Sequence, residues 1–214
     1  MPDDGFGVNH PIRDSAGQAS RRPRSTAPWL FFRRWLANPI QVGSVTPSSP
    51  ALCRLITQRI QRNPDEFVLE LGAGTGVISH AILEAGVPRE KLIVVEVVPA
   101  MARVLRQELP GVNVVEGDAW KLDSLLPMAW QGRIGTVICG IPLVLLPLER
   151  QRGLIHMIEA VAPGRGFLHY SYCATSPLPQ EKLGLAARRQ SWTPLNIPPA
   201  SVWRYTPRSS GLPR

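Results

Sequence analysis

The chain has 214 residues, of which 44% are hydrophobic, and its formal net charge is +8. This length suits one α/β domain with its own core, and the longest apolar runs fall far short of the ~20 residues that a membrane-spanning helix needs. The positive charge favours an anionic partner, either a nucleic acid or an anionic membrane surface, and the three cysteines, which lack CxxC spacing, are most simply explained as reduced, buried residues rather than metal ligands.

The first 62 residues are predicted to form a polar tail and two helices. Residues 1–27 are polar, without hydrophobic periodicity and without the apolar segment of a signal peptide, which predicts a disordered tail and a cytoplasmic location. Pro28 begins the first predicted helix and Asn38-Pro39 ends it. Residues 50–62 form the second, with leucines and isoleucines on one face.

The first predicted helix is both unusually apolar and basic. Its aromatic and basic residues are Trp29, Phe32, Arg33, Arg34 and Trp35. Aromatic side chains beside arginines are typical of a helix that lies in a membrane interface, so we expect this helix to bind an anionic membrane surface. The alternative is a buried helix that covers the ligand site, and a lid would satisfy both interpretations.

From residue 63 onward, predicted strands and helices alternate. The strands are at 68–71, 92–97, 112–115, 136–139 and 166–173, and the helices are at 77–84, 100–109 and 149–161. Near-continuous Val, Ile and Leu runs predict a parallel, doubly wound sheet that is buried on both faces. Two further strands are predicted within residues 183–206. We therefore expect N-terminal amphipathic helices over 28–62, one α/β domain over 63–206 and a tail over 207–214.

The stretch Glu-Leu-Gly-Ala-Gly-Thr-Gly at residues 70–76 joins a predicted strand to a helix. Gly72, Gly74 and Gly76 have no Cβ, so they allow the chain to turn sharply and to approach a ligand through its backbone. Glu70 lies at the strand end, where its carboxylate could reach a cation or a hydroxyl. This arrangement predicts a nucleotide-type ligand.

Two further acids make the predicted ligand more specific. Glu96 ends the next strand, where an acid can accept hydrogen bonds from a ribose diol. Asp118 follows the third strand and is placed to accept from the exocyclic amine of an adenine. Three carboxylates at neighbouring strand ends suit a ligand with a cationic centre, a ribose and an adenine, and they would repel a pyrophosphate.

In these motifs the chain resembles the seven-stranded, S-adenosylmethionine-dependent methyltransferases over residues 65–172. The resemblance implies a Rossmann-like sheet, mostly parallel with an antiparallel C-terminal hairpin. It also implies S-adenosylmethionine as the cofactor, S-adenosylhomocysteine as the product and no metal. Ala119 and Gly140 would then border the cofactor, and Ser44 and Thr46 would lie over its methionine part.

The residues after the fourth predicted strand distinguish between classes of acceptor. They read Cys139-Gly140-Ile141-Pro142-Leu143, where rRNA adenine dimethyltransferases carry Asn or Asp, then Pro, then an aromatic residue that stacks on a flipped base. Ile141 and Pro142 keep a proline turn and would contact the acceptor, but the chain offers no stacking face. This argues against methylation of a base and against a nucleic-acid partner.

The flanking segments resemble those of bacterial phospholipid N-methyltransferases. The matching stretches are residues 31–49, Gly140-Ile-Pro-Leu, Tyr170-Ser-Tyr172 and residues 195–204. The resemblance implies methylation of phosphatidylethanolamine, in up to three steps, to phosphatidylcholine by a monomer at the inner face of the cell membrane. Another amino lipid, such as ornithine lipid, is the nearest alternative acceptor, and an rRNA adenine is a more distant one.

Candidate residues for the chemistry come from the fifth strand and the late hairpin. Tyr172 is expected to bind the acceptor amine or to help deprotonate it, whereas Tyr170 is expected to point to the opposite face. His80 and His169 are expected to be structural. The predicted partners of the lipid phosphate, or else of an anionic lipid surface, are Arg188, Arg189 and Arg204.

Overall fold

The computed structural model describes residues 48–172 and 175–208, and the statements below concern these residues. The strands are β1 (Phe67–Leu71), β2 (Leu92–Glu96), β3 (Asn113–Glu116), β4 (Ile134–Cys139), β5 (Phe167–Ser171), β6 (Leu185–Thr193) and β7 (Ala200–Pro207). The helices are α1 (Pro50–Thr57), α2 (Val77–Glu84), α3 (Pro99–Glu108), α4 (Leu122–Leu125) and α5 (Leu148–Val161). Short 3₁₀ turns span Arg89–Lys91, Ala119–Lys121 and Leu143–Leu145.

The strands form one mixed sheet in the order β3-β2-β1-β4-β5-β7-β6. β1 to β5 are parallel, and β7 runs antiparallel to both β5 and β6. The strand order reverses between β1 and β4, which is where ligands bind at the carboxyl ends of such sheets. The predicted seven-stranded α/β sheet, mostly parallel with an antiparallel C-terminal hairpin, is confirmed.

Both faces of the sheet are covered by helices. Every residue of β1, β2 and β4 is buried, which explains why these strands read as continuous apolar runs rather than as alternating ones. One face packs against α1, α2 and α3 through residues such as Leu52 and Ile82. The other packs against α4 and α5 through residues such as Leu122 and Leu154.

The helix predicted over residues 50–62 is shorter than expected. It begins as predicted at Pro50, where the Ser49 hydroxyl accepts a hydrogen bond from the Leu52 amide (3.2 Å), but α1 ends at Thr57. The chain then crosses to β4, where the Thr136 hydroxyl accepts from the Gln61 amide (2.8 Å) and donates to the Gln61 carbonyl (2.7 Å). These bonds fix the segment against the sheet in a non-helical path, which the apolar pattern alone does not reveal.

The first predicted helix and both predicted tails fall largely or wholly outside the described residues, so the predicted domain boundaries stay predictions. Within residues 48–172 and 175–208, no helix combines the length and the apolar character that crossing a membrane requires.

Candidate active site

The glycine loop, residues 72–76, joins β1 to α2 at the carboxyl edge of the sheet. Gly72, Gly74 and Gly76 have φ angles of +73°, +57° and +78°, which residues with a Cβ rarely adopt. A Cβ at Gly72 would lie 2.9 Å from Cγ1 of Ile141, whereas a Cβ at Gly74 would meet no described atom within 4 Å. Gly72 therefore permits the loop to pack against the residues after β4, and Gly74 leaves the backbone accessible to a ligand.

Glu96 ends β2 and holds the glycine loop in place. Its carboxylate is almost fully buried; Oε2 accepts from the Gly74 amide (2.9 Å), and Oε1 accepts from the Val98 amide (2.9 Å). Each carboxylate oxygen can accept a second hydrogen bond. The group that fixes the loop can therefore also accept from the hydroxyls of a ribose.

Glu70 lies inside the protein, one residue before the end of β1. It is 2% exposed, and the Ser79 hydroxyl of α2 donates a hydrogen bond to its Oε2 (2.5 Å). Burial raises the pKa of Glu70 to about 7; the bond from Ser79 acts in the opposite direction, and the charge of Glu96 raises the pKa further. A cationic ligand group nearby would stabilise the carboxylate form.

Asp118 follows β3 and begins the turn Ala119–Lys121. Its Oδ1 accepts from the Trp120 amide (3.0 Å), and Ala119 is buried beneath the turn. The neighbouring acid Glu116 is in register with Glu96 but is exposed and pairs with Arg106 (3.3 Å). Three strand ends thus bring the predicted acids to one edge of the sheet, as expected.

These residues fit a ligand that carries a cation, a ribose and an adenine. Glu96 retains acceptor capacity for a diol, and a nearby cation would favour the charged form of the buried Glu70 carboxyl, as the bond from Ser79 already does. Residues 70–76 contain no lysine or arginine that would bind a pyrophosphate. The arrangement therefore suits S-adenosylmethionine better than a dinucleotide.

A cavity of about 120 Å³ lies beyond the ends of β4 and β5, and we call it the acceptor cavity. Its walls include Ser48, Gly140, Pro142, Val144, Tyr170 and Tyr172. Gly140 connects it to the glycine loop, because a Cβ at this position would lie 2.8 Å from the Gly72 carbonyl oxygen and 3.0 Å from Oη of Tyr170. The Tyr170 hydroxyl therefore lies where the acceptor cavity meets the glycine loop.

Tyr170 and Tyr172 lie on the same side of the sheet, which corrects the expectation that Tyr170 points to the opposite face. Both tyrosines pack against the apolar cluster between the sheet and α1–α3, and both line the acceptor cavity. Burial raises the pKa of Tyr170, as does the charge of Glu70, and the phenol hydrogen-bonds to Ser48. Tyr170 is the site residue that the sequence interpretation missed, although the Tyr-Ser-Tyr spacing contained the signal.

The two histidines have structural contacts. Nδ1 of His169 lies 3.0 Å from the Cys139 carbonyl oxygen, and a carbonyl only accepts hydrogen bonds, so Nδ1 carries the proton. Burial lowers the pKa of His169 to about 4, which keeps the ring neutral at physiological pH. His80 lies on the exposed side of α2, 3.8 Å from Glu108. His169 also lines the acceptor cavity, whereas His80 does not.

The predicted phosphate-binding arginines lie away from the acceptor cavity. Arg204 of β7 pairs with Leu168, three residues before the end of β5, and with Arg188 of β6. Its Nη2 donates to the Arg59 carbonyl (3.0 Å), while Arg189 pairs with Trp203. No lysine or arginine of the described residues lines the acceptor cavity.

Some of the other predicted site residues lie within the described part of the chain, and the rest lie outside it. Ile141 is buried against the glycine loop, and Pro142 lines the acceptor cavity. Ser44, Thr46 and the aromatic and basic residues between 29 and 35 lie outside the described residues. A larger cavity of about 570 Å³ between α1 and α2 is lined by none of the predicted cofactor or acceptor residues that the structure describes.

Side chains that can bind metals do not cluster in the described part of the chain. No cluster of three or more His, Cys, Asp or Glu residues there could hold a metal ion. Cys139 lies at the end of β4, where burial raises the pKa of its thiol to about 12. A neutral thiol at this position contacts the Ile141 carbonyl (3.8 Å) and contributes to packing.

Sequence comparison finds relatives among methyltransferases. No model of a known protein family matches the chain. The chain is 33% identical over 141 residues to the ornithine lipid N-methyltransferase of Singulisphaera acidiphila, covering 64% of this chain and 73% of the relative. It is 40% identical over 108 residues to the ribosomal RNA small subunit methyltransferase A of Chlorobium phaeobacteroides, covering 48% of this chain and 40% of that relative.

Solved structures share the fold. The 1,6-didemethyltoxoflavin-N1-methyltransferase of Burkholderia thailandensis, crystallised with S-adenosylhomocysteine, matches with a TM-score of 0.63 and 16% identity over 94% of both chains. A TehB-like methyltransferase of Corynebacterium glutamicum matches with a TM-score of 0.52 and 13% identity, covering 85% of this chain and 98% of that one. These structures show the fold alone, whereas the sequence similarity to the Singulisphaera protein covers most of that protein's length. The chain therefore belongs to that protein's family of S-adenosylmethionine-dependent methyltransferases.

Proposed function

We propose that this protein methylates the amine of an amino lipid. The observation that carries the proposal is the position of the Tyr170 hydroxyl beside Gly140, between the acceptor cavity and the glycine loop. Tyr172 lines the same cavity. Hydroxyl groups at this junction suit an amine, which donates hydrogen bonds, better than they suit the flat face of a base.

The residue after Pro142 supports an acceptor other than a nucleobase. Leu143 takes the place where base methyltransferases of this fold carry an aromatic residue, and its side chain is completely buried. A buried aliphatic side chain gives no surface on which a flipped base could stack. The similarity to a ribosomal RNA methyltransferase therefore supports the shared methyltransferase fold more than a shared acceptor.

The tyrosines of the acceptor cavity suit binding rather than proton abstraction. S-adenosylmethionine supplies a sulfonium methyl group that a neutral amine can attack. An alkylammonium has a pKa of about 10, so the acceptor must lose a proton to solvent water before transfer. Burial raises the pKa of both Tyr170 and Tyr172, so both phenols stay protonated and do not act as bases. Their oxygens accept hydrogen bonds from the N–H groups of the amine and direct its lone pair toward the glycine loop.

Two amino lipids are candidate acceptors. The sequence resemblance favours phosphatidylethanolamine and its partly methylated forms, leading to phosphatidylcholine. The relative in Singulisphaera, which is named for ornithine lipid, favours that lipid instead. Both lipids carry an amine and an anionic group, a phosphate in the first and a carboxylate in the second. We further propose that the protein acts as a monomer on the inner face of the cell membrane, where its net charge of +8 attracts anionic lipids.

Methyl transfer to separated acceptors tests the proposal. The full chain is incubated with a radiolabelled methyl donor and, in parallel, with phosphatidylethanolamine, ornithine lipid, phosphatidylcholine or unmodified rRNA. We expect label in at least one amino lipid and none in phosphatidylcholine, which has no acceptor amine. Label in rRNA without label in either amino lipid would refute the proposal.

A further inference from the structure

The turn between β6 and β7, residues 194–199, exposes two large aliphatic side chains. Leu195 is 72% exposed and Ile197 is 77% exposed, whereas Asn196 between them is fully buried. Oδ1 of Asn196 accepts from the Ser49 amide (2.9 Å), and its Nδ2 donates to the Pro198 carbonyl (2.9 Å). The central residue therefore fixes the turn to the start of α1, while its two neighbours face outward.

This turn lies at the same edge of the molecule as the acceptor cavity. Ser48, which precedes the partner of Asn196, lines the cavity and hydrogen-bonds to Tyr170. β7 starts directly after the turn, and its Ser201 pairs with Ser171 at the end of β5. The contacts on α1 and on the sheet thus connect the fixed turn to the wall of the cavity.

A second exposed apolar segment borders the cavity and lies in the 3₁₀ turn that follows β4. Val144 is 44% exposed and lines the cavity, and Leu145 beside it is 54% exposed. We call Val144, Leu145, Leu195 and Ile197 the apolar rim. Exposed apolar side chains that gather around a site mark a surface for a partner or a membrane.

We propose that the apolar rim inserts into the interface of an anionic lipid bilayer and brings the acceptor cavity to the lipid headgroups. This inference rests on the proposed function, because the amine of an amino lipid must reach Tyr170 while its acyl chains stay in the bilayer. Side chains on a fixed turn lose little backbone freedom on insertion. The net charge of +8 complements an anionic surface, and the rim supplies the apolar contact that charge alone lacks.

Vesicle binding of a double variant, Leu195→Ser with Ile197→Ser, tests the inference. The full chain is sedimented with vesicles of phosphatidylglycerol and phosphatidylcholine, without amino lipid or cofactor. The salt concentration is roughly 0.5 M, where a Debye length of about 4 Å screens charge attraction. We expect the wild type to bind and the double variant to bind about tenfold more weakly, because two large aliphatic side chains no longer leave water.

Two single variants complete the design. Met128→Ser is the matched control, because Met128 is 80% exposed but lies between α4 and β4, toward the amino end of the parallel strands. Its binding should stay within about twofold of the wild type, since isolated exposed apolar residues are ordinary. Leu145→Ser changes the other side of the rim, and a decrease of about threefold is expected.

Three results would overturn the inference. They are equal binding by the wild type and the double variant, complete loss of wild-type binding at this salt concentration, and an equal loss in the Met128 control. A lower melting temperature of the double variant with unchanged vesicle binding would show that the chain itself covers the rim. Failure of the wild type to methylate amino lipids dispersed in detergent would refute the proposed function separately, since that assay contains no bilayer.

Discussion

The active-site edge has two halves that are held together by contacts of different range. In the cofactor half, at the ends of β1, β2 and β3, Asp118 bonds to an amide two residues away, and Glu96 bonds to amides two and 22 residues away. In the acceptor half, at the ends of β4 and β5 and the start of β7, Asn196 bonds to the Ser49 amide, 147 residues away in sequence. The bonds of the first half join residues within one short stretch of the chain, and the second half is assembled from distant segments.

This difference indicates how one fold can serve several acceptors. Local bonds between a carboxylate and nearby amides form whenever the strand, turn and helix form, so the cofactor half can stay constant. The acceptor half depends on which loops the sheet brings together, and a change in one loop alters the cavity without touching the glycine loop. The relatives of this chain, one named for a lipid and one for rRNA, agree with this division.

The largest expected effect tests whether the cofactor half depends on its buried acid. Glu96→Ala removes the acceptor of two backbone amides and of the predicted ribose diol, so we expect cofactor affinity to fall by about 100-fold or more. Glu116→Ala is the matched control, because Glu116 occupies the same register on β3 but is exposed. Isothermal titration with S-adenosylhomocysteine measures the affinity of both variants. Equal losses of affinity would show that Glu96 has no role in binding that the exposed Glu116 lacks.

The next effect tests the acceptor half. Tyr170→Phe removes the hydroxyl beside Gly140 and should lower kcat about 10- to 100-fold, with little change in cofactor affinity, because one oriented hydrogen bond to the amine is lost. Tyr205→Phe is the control, because its hydroxyl bonds to Ser176 (2.9 Å) in the core on the other face. The control should lose stability but keep kcat. Unchanged turnover in Tyr170→Phe would exclude the hydroxyl from the reaction.

The sequence predicted where the strands of the cofactor half end, and it predicted the acceptor half only in outline. Glu70, the three glycines, Glu96 and Asp118 lie within short motifs whose strands could be read from continuous apolar runs. Tyr170 was assigned to the wrong face, although strand alternation places it with Tyr172. The contact between Asn196 and Ser49 could not be predicted, because it depends on how the late hairpin packs on α1.

A pH series tests the electrostatics of the cofactor half. Glu70 has a pKa near 7 instead of 4.5 in the free protein, so it is mostly protonated at pH 6 and mostly ionised at pH 8. The groups around it are Ser79 of α2, Glu96 of β2, Cys53 of α1 and Tyr170 of β5. If the cationic end of S-adenosylmethionine binds the ionised form, its affinity should rise about tenfold from pH 6 to pH 8.

Glu70→Gln separates this effect from general pH effects. The variant should bind the cofactor weakly and with no pH dependence, whereas Glu84→Gln, which changes an exposed acid of α2, should follow the wild type. The raised pKa also means that the free protein loses stability as pH rises from 4.5 through 7, by on the order of 3 kcal/mol. Chemical denaturation should show this slope in the wild type and lose it in Glu70→Gln.

The smallest expected effect decides how far the acceptor half extends into the hairpin. Arg204→Met keeps most of the apolar stem but removes the donor to the Arg59 carbonyl, so we expect the free energy of unfolding to fall by about 1 kcal/mol. Arg188→Met, at the exposed cross-strand position, should change it by less than about 0.5 kcal/mol. Because neither arginine lines the acceptor cavity, KM for the amino lipid should stay constant in both variants. A tenfold rise in KM for Arg204→Met at unchanged stability would instead mean that Arg204 binds the anionic group of the lipid, and that the acceptor half includes the centre of β7.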